Sequence, residues 1–275
     1  DQNADAWRLR ADEVAAADQP LLKTENLYKA YGGVIPTNRV SVSVKAGHIH
    51  SLIGPNGAGK TTLLNILSGV TEPDSGTVEF NGRSIAGMAA NKICSLGLAR
   101  TFQNLKLFSN MTVLENVQVG LHSRLKSGML SYLLSLPRAR REEASTYRES
   151  LQILELLGLK DKAHELAGSL PYGLQRRLEI ARALATHPRL LLLDEMVSGM
   201  NQEEKEYMAR FVLDARDERG VTVLLIEHHM DIITGICDRM LVLSYGEVID
   251  TGIPREVIKD PRVIKAYIGG SKDAS

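Results

Sequence analysis

The sequence predicts an α/β fold around a mostly parallel sheet, and three observations carry this prediction. A glycine-rich segment, Gly54–Thr62, follows an apolar run at 49–53 and opens a helical pattern. Two further apolar runs, Leu190–Leu193 and Val221–Ile226, are separated by a helical pattern at Gln202–Glu218. Strand, helix, strand repetition favours parallel strands, and such sheets bind ligands at the carboxyl ends of their strands.

The glycine-rich segment has the composition of a phosphate-binding loop. Gly54, Gly57 and Gly59 carry no Cβ, so backbone N–H groups can approach a phosphate chain closely. The helix that begins near Lys60 directs its positive dipole end at the same point, and the lysine reaches the β and γ oxygens. Thr61 supplies a hydroxyl for magnesium, with Thr62 as a further contact. The predicted nucleotide-binding segment also contains Pro55, Asn56 and Ala58.

Charged side chains follow both of the later apolar runs. Asp194 and Glu195 come directly after the first run, and Glu227-His228-His229 follow the second. Two acids at the end of a buried strand are costly unless a metal or a ligand meets them. We therefore expect this edge of the sheet to bind a ligand.

The remaining segments complete the expected organisation. Residues 21–45 alternate polar and apolar side chains around a Gly32-Gly33 turn, which predicts antiparallel strands. A mostly helical region begins near Gly87 and extends as far as Gly158, and it includes an amphipathic helix at Arg138–Leu157. Pro171 suits the start of a helix that runs towards His187-Pro188, and Asn201 is a candidate N-cap of the next helix.

Composition excludes several classes of protein. Lys plus Arg equals Asp plus Glu at 33 each, which argues against a nucleic-acid partner. No apolar run approaches the ~18 residues that span a bilayer. The two cysteines, Cys94 and Cys237, are too few for a disulfide framework and fit a reducing compartment.

Residues 1–20 have the composition of a flexible leader or trimmed end, and 270–275 form a short tail. The apolar segment Met129–Pro137 either packs on its own helical region or contacts a partner.

The order of these motifs resembles the ATP-binding subunit of ATP-binding-cassette (ABC) transporters over about Leu21 to Gly269. This resemblance implies a P-loop NTPase fold of the ABC type, with an antiparallel β subdomain and a helical subdomain at about 95–185. It implies ATP and Mg²⁺ as ligands. The stretches Ala99–Asn104, Met111–Val117 and Gln175–Leu184, with the long insert through Pro137, are most similar to the branched-chain amino-acid transport type.

The resemblance also implies a role for each motif. Tyr31 would stack on adenine, Gly54–Thr62 would be the Walker A loop, and Gln103 would contact magnesium and water. Leu170–Gln175 would be the signature motif, with Tyr172, Gly173 and Gln175 towards nucleotide. Asp194 would bind magnesium, Glu195 would be the catalytic base, Ser198–Asn201 would be the D-loop, and His228 would be the switch histidine. These roles make physical sense, because phosphoryl transfer to water needs charge neutralisation and an oriented nucleophile.

The chain departs from the family pattern at four positions. Pro171 stands where the signature serine is expected, Met196 replaces a proline, Asn201 replaces the D-loop aspartate, and His229 replaces the aspartate after the switch histidine. The signature acts on nucleotide held by the opposite subunit. Loss of its hydroxyl therefore predicts slower hydrolysis at the opposite site, whereas the site on this chain keeps its full set of residues.

The partners implied by the resemblance are proteins. They are a second ABC ATPase or another copy of this chain, two membrane permease subunits, and, indirectly, a periplasmic or external binding protein. The implied location is the cytoplasmic face of the inner membrane. Two alternatives stay open at this point: a nucleotide-binding regulatory subunit with weak hydrolysis, and a soluble cassette ATPase that is not coupled to transport. No residue of such a subunit reads the transported molecule.

Overall fold

The computed structural model describes residues 20–103, 105–122 and 137–269. The chain divides into two compact units. The first contains the residues up to Arg100 and from Arg189 onward, and the second is Thr101–Pro188. The predicted leader, apart from Pro20, the tail at 270–275 and most of the apolar segment at 129–137 lie outside the described residues.

The elements follow one another in this order. The first unit begins with β1 (Leu22–Tyr31), β2 (Val34–Val44), β3 (Ile49–Ile53), α1 (Lys60–Leu67), β4 (Ser75–Phe80), β5 (Arg83–Ser84), α2 (Ala90–Ser95) and β6 (Leu98–Arg100). The second unit contains α3 (Val113–His122), α4 (Pro137–Leu156), two 3₁₀ turns (Lys160–Lys162 and Ala167–Ser169) and α5 (Tyr172–Ala185). The first unit resumes with β7 (Leu190–Asp194), α6 (Gln202–Arg219), β8 (Thr222–Ile226), α7 (Met230–Ile236), β9 (Arg239–Ser244), β10 (Glu247–Gly252), α8 (Pro254–Val257) and α9 (Pro261–Gly269).

The antiparallel sheet has the strand order β2-β1-β4-β5. Val40, Val42 and Val44 alternate with exposed residues along β2 and are buried, so one face of the strand packs on the core. The expected turn between β1 and β2 is present, and Gly32 adopts the left-handed conformation there with φ of 58°. The antiparallel strands predicted for 21–45 are therefore confirmed.

The second sheet positions the site. Its order is β10-β9-β3-β8-β7-β6, and all neighbours are parallel except the β9–β10 hairpin. Leu52 of β3 and Asp194 of β7 both pair with Ile226 of β8. The carboxyl ends of β3, β8 and β7 therefore lie side by side, as the sequence predicted. Helix α6 carries the expected cap, since Asn201 and Glu204 form a capping box at its start.

The helical unit differs from the expectation at its borders. The expected region, about 95–185, included Leu98–Arg100, which form β6 of the parallel sheet. A run of three residues cannot be assigned by periodicity. Helix α5 ends at Ala185, earlier than expected, and Pro171 is its N-cap. Within this unit Gly120 of α3 approaches α5 closely, because a Cβ there would lie 2.4 Å from the Arg182 carbonyl oxygen.

Within the described residues, no helix combines the length and the apolar character needed to cross a bilayer.

Candidate nucleotide-binding site

The glycine-rich loop connects β3 to α1 along a path that two of its glycines make possible. Gly54 has φ of 153°, and a Cβ on it would lie 2.1 Å from the Leu243 carbonyl oxygen. Gly59, the N-cap of α1, has φ of 101°, and its Cβ would lie 1.8 Å from the Pro36 carbonyl oxygen. Any side chain at either position would overlap backbone. The loop is therefore held between the backbones of β2 and β9.

Lys60 lies inside this loop and is 8% exposed. Its Nζ donates to the carbonyl oxygens of Gly54 at 2.7 Å and of Pro55 at 2.9 Å. Burial lowers the pKa of Lys60, and the charges of Glu195 and Asp194 oppose that shift. The lysine and the two acids thus belong to one electrostatic cluster, as the sequence predicted.

Asp194, the last residue of β7, is buried and paired with an arginine. Its Oδ2 accepts from Nη2 of Arg100 on β6 at 3.1 Å. A second guanidinium nitrogen of Arg100, Nη1, donates to Oδ1 of Asn65 on α1 at 2.7 Å and to Oγ of Ser68, just after this helix, at 3.1 Å. Burial lowers the pKa of Arg100, and Asp194 counteracts this. Sequence reasoning gave Arg100 no role, although it lies in a stretch that carried the resemblance.

Glu195 and His228 meet where β7 and β8 end. Nε2 of His228 lies 3.3 Å from Oε1 of Glu195, and the Glu195 N–H donates to the Ile226 carbonyl at 3.0 Å. The backbone of Glu195 is left-handed, with φ of 52°. A residue other than glycine in this conformation is strained and depends on its surroundings to hold it, which is frequent at functional sites.

Four of the predicted site residues lie in the second unit. Gln103 is exposed, and its carbonyl accepts from Arg176 Nη2 at 3.0 Å. Tyr172 is the exposed first residue of α5, followed by the buried Gly173. The Gln175 side chain donates back to the carbonyls of its own loop, at Leu170 and Gly168. Contact of Gln103, Tyr172, Gly173 and Gln175 with a nucleotide stays a prediction.

Tyr31 ends β1 and is half exposed. Nζ of Lys29 lies 5.3 Å from the centroid of its ring. The tyrosine pairs with Val34, two residues before the Pro36 carbonyl that meets the phosphate loop. An exposed ring at this place is accessible to a base, and stacking on adenine stays a prediction.

The donor set fits a magnesium ion bound together with phosphate. Mg²⁺ usually takes one or two protein oxygens and completes its shell with phosphate oxygens and water. Thr61 at the start of α1 and the Asp194 carboxylate are oxygen donors of this kind. Across the described parts of the chain, no group of three or more His, Cys, Asp or Glu residues is arranged to hold a metal by itself.

A parallel sheet whose strand enters a glycine-rich loop and a helix, with acids at the ends of adjacent strands, defines a P-loop nucleotide-binding domain. The family model described as "ABC transporter" matches residues 37–198. The chain belongs to this family, and it is an ATP-hydrolysing cassette. The α/β fold expected from the resemblance is confirmed.

Three known proteins show how far the similarity extends. The chain is 41% identical over 251 residues to the high-affinity branched-chain amino acid transport ATP-binding protein LivG of Salmonella typhimurium, covering 91% of this chain and 98% of LivG. It superposes with a TM-score of 0.79 on the ADP conformation of an ATP-binding cassette of an ABC transporter, which is 33% identical over 91% of this chain and 99% of the other. A dimeric cassette bound to ADP and Pi gives a TM-score of 0.74 at 25% identity, covering 85% and 99%.

Proposed function

We propose that this chain is the ATP-hydrolysing subunit of an importer for branched-chain or related amino acids. The observation that carries the proposal is the clustering of Lys60, Asp194, Glu195 and His228 at one edge of the parallel sheet. The 41% identity with LivG, over nearly the whole length of both chains, supports the class of cargo.

The loop Gly54–Thr62 binds the triphosphate in this proposal. Its backbone N–H groups and the N-terminus of α1 surround the phosphates, and Lys60 exchanges its loop carbonyls for β and γ oxygens. Thr61 and Asp194 would hold Mg²⁺, which would supply charge neutralisation at the phosphate oxygens. Tyr31 stacks on the adenine ring.

Glu195 acts as the general base on the attacking water. Its carboxylate takes the water proton while oxygen attacks the γ-phosphorus. His228, in contact with this carboxylate, fixes its direction and donates to the γ-phosphate. The products are ADP and inorganic phosphate.

The working assembly in this proposal contains two cassettes, formed with a second ABC ATPase or with another copy of this chain. The signature residues Tyr172, Gly173 and Gln175 face nucleotide held by the opposite cassette. The dimeric relative supports an assembly of two cassettes. Two permease subunits receive the motion, an external binding protein delivers the cargo, and the cassette lies at the cytoplasmic face of the inner membrane.

The unusual residues do not favour a regulatory subunit with weak hydrolysis. Met196 is fully buried and belongs to the core, and Asn201 completes the capping box of α6. Pro171 is the N-cap of α5, where its missing N–H removes no helical hydrogen bond. Each departure therefore has a local structural role that leaves Glu195 and His228 in place.

Substitution of Glu195 by Gln tests the proposal. We expect unchanged ATP binding and a loss of turnover of about 10²- to 10⁴-fold, because the amide cannot accept the water proton. ATP binding and phosphate release are measured on the purified chain, alone and with its partner ATPase and permeases. Glu203→Gln, on the exposed first turn of α6, is the control and should behave as the wild type. Full hydrolysis by the Glu195→Gln chain would contradict the proposed mechanism.

A further inference from the structure

A buried carboxylate lies between the two loops that carry the proposed catalytic groups. Glu227 follows β8 directly, precedes His228, and is 2% exposed. A charged side chain with so little access to water needs polar partners. The mechanism proposed above gives this residue no task.

Both oxygens of Glu227 meet backbone N–H groups, one on each loop. Oε1 accepts from the N–H of Val197 at 3.0 Å, two residues after Glu195. Oε2 accepts from the N–H of His228 at 3.3 Å. One carboxylate therefore connects the loop after β7 to the loop after β8.

A histidine and a lysine continue this arrangement. Nδ1 of His229 lies 3.3 Å from Oε2 of Glu227, and its Nε2 lies 2.9 Å from Nζ of Lys205 on α6. An ammonium group has donors and no acceptor, so Nε2 of the imidazole must accept. The imidazole proton then belongs on Nδ1, where it is donated to Glu227. Lys205, His229 and Glu227 thus form one series of polar contacts from α6 to the buried carboxylate.

We infer that Glu227 is a positioning residue for ATP hydrolysis, an inference that rests on the proposed function. By holding Val197 and His228 through one side chain, it fixes the distance between the Glu195 carboxylate and the His228 imidazole. His229 and Lys205 in turn fix the direction of the Glu227 carboxylate. The histidine at 229, where the family resemblance leads one to expect aspartate, is explained as the link between this acid and α6.

The strained backbone of Glu195 shows why the Glu227 carboxylate is needed to hold this loop. A left-handed residue outside glycine relaxes unless neighbouring contacts hold it. Besides the contact of the Glu195 side chain with His228, the loop is held to the end of β8 by two backbone donors. The Glu195 N–H donates to the Ile226 carbonyl, and the Val197 N–H donates to Glu227. Displacement of a reacting group by about 1 Å costs about 100-fold in rate. The contacts of Glu227 therefore affect the rate of turnover.

Substitution of Glu227 by Gln tests the inference. The amide has one acceptor oxygen, so one of the two N–H groups loses its partner and faces an NH₂ instead. We expect kcat for ATP to fall about 10- to 100-fold, with KM and ATP binding within about twofold of the wild type. In a Glu195→Gln background the same change should have little further effect, because the group that it positions is already gone. Glu206→Gln, on the exposed side of α6, is the matched control.

Lys205→Met gives a second measurement that removes no buried charge. We expect kcat to fall about threefold to tenfold, with an unchanged unfolding temperature, because the Glu227 carboxylate stays but is less well oriented. Equal losses in kcat, ATP binding and unfolding temperature for Glu227→Gln would show a merely structural role and overturn the inference. Unchanged kcat in both variants would overturn it as well, and the proposed function would still stand if Glu195→Gln abolishes turnover. Absence of ATP hydrolysis by the wild-type complex would overturn both.

Discussion

Each unit of the molecule contains a buried arginine–carboxylate pair, and the two pairs differ in what surrounds them. In the second unit Arg176 and Glu179 are one helical turn apart on α5 and contact each other at 2.7 Å. Arg176 also donates to the carbonyls of Phe102 and Gln103, and Glu179 accepts the N–H of Phe102. This pair binds backbone, and it holds the segment that carries Gln103 against the helix that follows the signature motif.

In the first unit Arg100 and Asp194 lie on adjacent strands, 94 residues apart along the chain. The arginine also donates to the side chains of Asn65 on α1 and of Ser68, the residue that follows this helix. The acid also feels the charge of Lys60. This carboxylate is therefore paired with Arg100 and lies near the charge of Lys60, at the edge where the nucleotide is proposed to bind. Burial of an ion pair alone does not reveal its role, because the role follows from the groups around it.

Breaking the pair of the second unit should have the largest effect. Arg176→Met leaves Glu179 buried and removes the donor to two carbonyls, so we expect a loss of about 3–5 kcal/mol in the free energy of unfolding. Urea denaturation measures it, with the exposed Arg140→Met on α4 as the control. Arg176→Met combined with Glu179→Leu should recover part of the loss. An effect no larger than that of the control would show that this pair contributes nothing to the unit.

Breaking the pair of the first unit should cost less. For Arg100→Met we expect a loss of about 1–3 kcal/mol without nucleotide, because Lys60 still compensates part of the Asp194 charge. Asp194→Asn in the same chain should cancel most of the loss, since it removes the charge that Arg100 balances. The same urea denaturation of the four chains, wild type, two single variants and the double variant, measures the coupling. Additive single effects would show that the two residues act independently.

Another buried basic side chain, His50, sharpens the comparison. Its partner is a backbone N–H, whereas each of the two arginines is paired with a carboxylate. Nε2 of His50 on β3 accepts from the Lys45 N–H at 3.2 Å, and burial lowers the pKa of His50 to about 4. Between pH 6.5 and pH 4 the unfolded chain therefore binds a proton that the folded chain does not. We expect stability to fall by about 1.4 kcal/mol per pH unit on acidification through this window.

His50→Gln isolates that contribution. Denaturation curves at several pH values from 7.5 to 4.5 should show a shallower pH dependence for the variant, because its side chain does not titrate. The difference between the two slopes belongs to His50, since the other titrating groups are common to both chains. Equal slopes would show that His50 takes up its proton in the folded protein as easily as in the unfolded one.

The sequence predicted the parts of the site that local pattern determines. The phosphate loop follows from residue spacing between a strand and a helix, and Asp194, Glu195 and His228 follow from their places at strand ends. Arg100 and Glu227 were not assigned a role, since their partners depend on which strands are neighbours in the sheet. For Glu227 the signal was available, because it follows an apolar strand just as Asp194 ends one. The spacing of Arg176 and Glu179 on a helix predicts their contact. Their hydrogen bonds to the backbone of Phe102 and Gln103 depend on tertiary structure and cannot be predicted from the spacing.

The phosphate loop also bears on how chimeras of such cassettes should be made. At position 59 only glycine fits against the Pro36 carbonyl. The Ala58 carbonyl accepts from the N–H of Gly246, and the Gly246 carbonyl accepts from the N–H of Asn38. Three separate stretches of the chain therefore determine the shape of the loop together. A graft of the nine loop residues alone leaves these backbone partners behind, whereas a graft that includes 35–38 and 243–246 carries them along.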